Sequence, residues 1–183
     1  PALIFHADGK TFQSLPKEIE IHEPPTGGAL RAEVVGTDGD VYLGQPIDMT
    51  LRIFIEQFTD PALDVTLDAR DMFSLLSKNS SYGMFTEPLQ DGRANVQTIS
   101  GTTKEGIPAT FYVYSVQATT WPETTGEFIF EPISIIANYP ISLTRQQRFS
   151  FFGGSSLTVS QSHLISAQAE MPSIQVLTTP KRD

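Results

Sequence analysis

Four aspartates, Asp60, Asp64, Asp68 and Asp71, fall close together in this chain. Paired carboxylates can share general-acid and general-base roles when a fold holds two of them at a working separation. Spacing along the sequence alone does not provide that separation. A solvated surface or a helix cap is the simpler use of the run, with Asp68 placed to cap a short helix. Asp38-Gly39-Asp40 offers a second group of oxygens of the kind that a hard cation such as Ca²⁺ binds. The other ligands of a calcium loop are missing, and Asp-Gly is an ordinary hairpin turn. The turn takes precedence, and a weak Ca²⁺ site near Asp38 and Asp40 stays open. His6, His22 and His163 are scattered, and none has a carboxylate partner at metal-ligand spacing. Gly153-Gly154-Ser155-Ser156 lacks the Gly-x-Ser-x-Gly pattern of a nucleophile elbow. Asn79-Ser80-Ser81 matches the acceptor pattern for N-glycosylation, which matters only in a secreted eukaryotic chain. The residues therefore predict no catalytic site, no cofactor site, no metal site and no enzyme.

Aromatic side chains give a different kind of chemistry. Trp121, Tyr112 and Tyr114 could stack on a sugar, because flat apolar rings suit that contact. Core burial competes with this use, above all for the two tyrosines. Trp121 stands apart because it lies in a turn beside Pro122, and it is the candidate contact for a partner.

Composition narrows the classes further. The chain has 183 residues, of which 39% are apolar, enough for a core without disulfide support. It contains no cysteine, which excludes disulfides, thiolate metal sites and cysteine nucleophiles. Twelve basic residues against twenty-one acidic ones give a net charge of −9. That charge repels phosphate backbones and anionic lipid, so neither nucleic acid nor an electrostatic membrane grip is expected. No apolar run approaches the roughly 18 residues of a membrane span. The chain opens at Pro1 in what reads as structure, so the expectation is a piece of a longer protein whose targeting and anchoring segments lie outside it.

The elements that would position these residues are strands. Ile47, Met49, Leu51, Ile53 and Ile55 alternate with Asp48, Thr50 and Arg52, a period of two that predicts a strand over Ile47–Phe58 with one buried face. Thr110–Ala118 reads as a central strand, since Tyr112, Tyr114 and Val116 share one apolar face and Phe111 and Val113 the other. Trp121–Gly126 turns the chain into a strand over Glu127–Ile136, where Pro132 marks an edge or a bulge. Shorter strands are expected at Ala2–His6, Lys17–His22, Ala29–Val35, Val41–Leu43, Ala94–Ile99, Arg145–Phe152, Leu157–Val159 and Ser173–Leu177. Asp68–Leu76 carries Met72, Leu75 and Leu76 at helical spacing and predicts a short helix. Phe85–Pro108 is turn-rich. Pro24-Pro25-Thr26-Gly27-Gly28 reads as a linker. Pro16 and Pro24 bracket one short strand and Pro172 and Pro180 another, at the same spacing. On that echo, residues 1–27 are an extended segment, the last strands of a preceding similar domain plus linker, and residues 28–183 are the main domain.

Two segments, "VYLGQPIDMTLRI" and "FYVYSVQATTWPETTGEFIFEPISIIANY", resemble strands of BatD-type, aerotolerance-associated bacterial proteins, and "MPSIQVLTTP" resembles the strand that closes such a domain. The departures are the helical Asp68–Leu76 and the long Phe85–Pro108. The resemblance implies immunoglobulin-like domains on the periplasmic or extracellular face of a bacterial membrane, with von Willebrand A-type Bat proteins as partners and no catalytic residues. The expected fold is all-β, an immunoglobulin-like β-sandwich with a short inserted helix. The expected role is a non-enzymatic protein-interaction domain of a cell-envelope protein. A carbohydrate-binding or adhesin-like module is the alternative, and a hydrolase accessory domain or a degenerate enzyme is a third.

Overall fold

The computed structural model describes residues 4–7, 10–13, 28–103, 106–148 and 154–179. In chain order the strands are β1 (Ile4–Ala7), β2 (Lys10–Gln13), β3 (Leu30–Gly36), β4 (Val41–Tyr42), β5 (Ile47–Glu56), β6 (Thr59–Asp60), β7 (Val65–Thr66), β8 (Asn95–Thr102), β9 (Pro108–Thr120), β10 (Gly126–Phe128), β11 (Ile133–Arg148), β12 (Gly154–Ala169) and β13 (Ile174–Leu177). Helices α1 (Ala69–Ser74) and α2 (Thr86–Gln90) are inserted between β7 and β8, with a 3-10 turn at Gly83–Phe85. The fold is all-β.

The alternation of β5 becomes a buried stripe. Ile47, Met49, Leu51, Ile53 and Ile55 are each at most 1% exposed, while Asp48 and Arg52 face water. β5 lies inside an antiparallel sheet of order β3-β5-β9-β8. Its register sets Leu51 between Val34 and Val116, and Ile53 between Ala32 and Tyr114. β9 is also interior, which accounts for its two apolar faces. Tyr112, Tyr114 and Val116 enter the main core. Phe111 and Val113 join Phe54 on the opposite face, where the Arg31 guanidinium lies 4.1 Å over the Phe54 ring.

β11 and β12 form a long antiparallel hairpin. Ile133, Ile135, Ala137, Ile165, Ala167 and Ala169 of this hairpin share the core of β5 and β9. Pro140 sits at a register shift that runs through Ser142 to Leu143. Proline has no N–H to give the ladder, and the bulge absorbs the missing bond. The other edge of β11 is met by the segment after α1. There Ser77 N donates to Ile136 O at 2.7 Å, Ser81 N to Ser134 O at 2.8 Å, and Asn138 N to Leu75 O at 2.9 Å. Finally β13 pairs antiparallel with β10 and parallel with β4, burying Val41, Ile174 and Val176.

The helix at Asp68–Leu76 forms as Ala69–Ser74, and the Asp68 carboxylate accepts from Asp71 N at 2.8 Å as its N-cap. Met72 points into the core. The Tyr114 hydroxyl donates to Ala69 O, and the Tyr112 hydroxyl donates to Leu67 O at 3.1 Å. These two bonds fasten the helical insertion to the central strand.

Three expectations change. The continuous strand over Glu127–Ile136 is instead two, β10 and β11, because residues 129–132 leave the ladder ahead of exposed Pro132. Proline cannot extend the pairing through that point. Arg145 and Leu157–Val159 do not start separate short strands; they belong to the arms of one hairpin. The stretch Phe85–Pro108 contains α2 as well as β8. Residues 149–153 of the expected strand Arg145–Phe152, the candidate Lys17–His22, and Pro16, Pro24 and Pro180 lie outside the described residues. Among the described residues of the N-terminal segment, β1 pairs with β2, setting Phe5 opposite Phe12.

Asp60 holds two parts of the fold together. It is the one charged residue in the core among the described residues, at 3% exposure. One carboxylate oxygen accepts from Ala62 N at 2.8 Å and Leu63 N at 3.1 Å; the other accepts from Leu143 N at 2.7 Å, at the bulge. The Leu143 bond chiefly lowers the Asp60 pKa, against the opposing effect of burial, with the Leu63 and Ala62 bonds adding to the lowering. A depressed carboxylate pKa stabilises the fold above its unfolded value of about 3.9, and that contribution is lost as pH falls through the folded value. Asp60→Asn turns an amide donor toward one of these N–H groups. We expect its melting temperature to fall below wild type at pH 7 and the gap to narrow at pH 3. Parallel melting curves across that range would contradict the clamp.

Candidate functional site

The sequence-selected residues do not converge on a catalytic centre. Asp60 is the buried clamp, Asp68 is the cap, and Asp64 and Asp71 are exposed. His163 is exposed with its ring 5.8 Å from that of Tyr139. His22 is outside the described residues, and His6 falls on β1. Asp38 and Asp40 are exposed on the turn after β3. Among the described residues no group of three or more histidine, aspartate or glutamate side chains is placed to hold a metal ion. Asn79 is exposed on the turn after α1. Ser155 and Ser156 are paired along β12 with Gln147 and Gln146, in a hairpin arm rather than an elbow.

Tyr112 and Tyr114 are buried, so they do not form a stacking platform with Trp121. Desolvation chiefly raises the Tyr114 pKa, with the charges of Tyr112 and Asp68 adding to it. Its proton stays on the hydroxyl that bonds Ala69 O.

Trp121 is 58% exposed. It follows directly on β9, and the next residue, Pro122, is buried and anchored. Gly44 N donates to Pro122 O at 3.2 Å, and Leu43 N donates to Leu177 O at 2.9 Å. The turn at 42–45 is closed twice: Gln45 N donates to Tyr42 O at 2.9 Å, and Tyr42 N donates to Gln45 Oε1 at 3.0 Å. Gly44 takes φ +78°, a left-handed conformation that glycine adopts without steric cost. The exit of β9, the turn after β4 and the end of β13 are thus bonded to one another. Each carries exposed apolar side chains: Trp121 on the first, Tyr42 and Leu43 on the second, Leu177 on the third.

The sequence singled out Trp121 and missed its three companions. The signal was available in Val41-Tyr42-Leu43, an apolar run against Gly44-Gln45-Pro46. What it lacked was the parallel pairing of Leu177 with Tyr42, a contact between distant parts of the chain that no local pattern announces. No family model matches the chain, and curated proteins and solved structures likewise give no match. Among the described residues no helix is long and apolar enough to cross a membrane.

Proposed function

We propose that this chain is a non-enzymatic protein-interaction domain, an immunoglobulin-like β-sandwich from a bacterial cell-envelope protein resembling BatD. In this reading it works on the periplasmic or extracellular face, anchored by segments outside the chain, and its partner is a protein of the von Willebrand A-type Bat group. The β-rich architecture with one core between the β3-β5-β9-β8 sheet and the β11–β12 hairpin supports the sandwich assignment. The observation that carries the interaction reading is Trp121, which is mostly exposed beside a buried, hydrogen-bonded Pro122. A rigidly mounted aromatic of this kind is a frequent anchor of binding energy at interfaces. The two segments bonded in series to its own carry Tyr42, Leu43 and Leu177, each apolar and exposed.

Trp121→Ala should leave the melting temperature close to wild type, because the side chain is mostly in water. It should weaken capture of a von Willebrand A-type partner from an envelope fraction by about tenfold or more, the scale of an aromatic hot spot. Identical recovery of the same protein band by both forms would remove support for this site. Exposed Tyr42, on the turn bonded to the segment of Trp121, also suits a stacked sugar. Retention on a glycan array that is specific and lost in Trp121→Ala would favour the carbohydrate-binding alternative.

A further inference from the structure

The two edges of the four-stranded sheet are not treated alike. β3 carries Arg31 and Glu33, and its flank lies beside β12. β8, at the other edge, reads Asn95-Val96-Gln97-Thr98-Ile99-Ser100-Gly101-Thr102, with no charge and no proline. All eight of its residues are exposed. Charges, proline, bulges and covering segments are the usual protection of a sheet edge against pairing with another chain. Among the described residues β8 has none of them over its full length.

Register shows which groups are free. The β8–β9 connection is closed by Thr103 N donating to Ile107 O at 2.8 Å. In an antiparallel ladder the bonded pairs then recur at every second residue. Gly101 with Ala109, Ile99 with Phe111, Gln97 with Val113 and Asn95 with Ser115 are therefore the bonded pairs. The bond from Gln57 N to Thr110 O fits, since it turns the even-numbered residues of β9 toward β5. Val96, Thr98, Ser100 and Thr102 aim their backbone N–H and C=O groups away from the sheet. Among the described residues nothing accepts or donates there.

The geometry points to a second copy of this chain as the occupant, paired antiparallel along β8 across a two-fold axis. An isologous interface sets each residue of the strand against another residue of the same strand. On a chain of net charge −9, β8 can do this without placing like charges opposite one another. The outward set has even numbers, so a two-fold pairing must bond even to even, with the axis at Thr98 or at Ile99. The axis at Ile99 bonds Val96 to Thr102 and Thr98 to Ser100, and it sets Ile99 against its own copy in a non-bonded pair. Side chains approach most closely at such positions. Ile99 lies across from Phe111 on the face that already holds Phe54 and Val113. Pairing would run that apolar cluster on across the axis and cover an isoleucine that is 37% exposed in the single chain.

The chain has no cysteine, so the register can be tested with a clean background. Oxidised Ile99→Cys should run as a covalent dimer on a non-reducing gel, because the two sulfurs meet at the axis within disulfide range. Ser100→Cys, which faces Thr98 of the other copy in this register, should stay monomeric. In sedimentation equilibrium the wild-type chain should show a concentration-dependent dimer. Ile99→Lys and Ile99→Glu should each dimerise at least tenfold more weakly alone and recover when mixed, an outcome that misfolding would not give. A wild-type chain that stays monomeric at high concentration, or a dimer unaffected by Ile99→Lys, would overturn the proposal. Crosslinking through Ser100→Cys rather than Ile99→Cys would overturn the register.

Discussion

Phe85→Ala should lower the stability of this domain by about 3–5 kcal/mol, the range for removing a fully buried phenylalanine. Phe85 is 0% exposed and belongs to the main core. It ends the 3-10 turn, where Phe85 N donates to Tyr82 O at 3.0 Å. Gly83 opens that turn at φ +51°, and a Cβ there would come within 3.2 Å of Glu131 O. The backbone around Phe85 is therefore closely seated against the segment leading into β11 and has little freedom to collapse into the space the ring leaves. A site that cannot relax falls toward the costly end of the range. Urea unfolding followed by fluorescence should show a lower midpoint at an unchanged slope. A midpoint equal to wild type would mean that the ring is not in the core.

Phe85 also shows where local sequence patterns stop being informative. The residues around it read as turn-rich because two short helical pieces, Gly83–Phe85 and Thr86–Gln90, are too brief to display a helical period. Its burial comes with the packing of the 3-10 turn against β9, which is far away in sequence. The helix at Ala69–Ser74 was legible because it has a capping aspartate and one strongly buried side chain, Met72. β5 was legible because its apolar residues alternate from Ile47 to Ile55, and β9 because a short run from Phe111 to Val116 is apolar on both faces. The hairpin β11–β12 was legible only in fragments. Its inner face uses Ala137, Ala167 and Ala169 beside the isoleucines, and small side chains between serines and glutamines give little contrast. At the Trp121 surface the tryptophan stood out by type and by its turn. Tyr42, Leu43 and Leu177 did not, since only the bonds from Leu43 to Leu177 and from Gly44 to Pro122 bring those segments together.

Leu51→Ala should cost about 2–5 kcal/mol, and this substitution tests which face of β5 meets the core. Leu51 is 0% exposed and lies opposite Val34 on one side and Val116 on the other. A cavity there opens among side chains from three strands of one sheet and from the hairpin across the core. Its neighbour Arg52 points to the other face, where it reaches Glu33 at 3.3 Å in an exposed ion pair. Exposed pairs of this type contribute about 0–1 kcal/mol, so Arg52→Ala should cost far less than Leu51→Ala. Side chains alternate strictly along a strand, so a slip of one residue would exchange the two positions and reverse the order of the two effects. The ratio of the two losses, measured in the same denaturant series, therefore reports which face of β5 meets the core. The pairing of β8 with β9 is set separately, by the bond from Thr103 N to Ile107 O at their connection, so the free edge of β8 stands apart from this test.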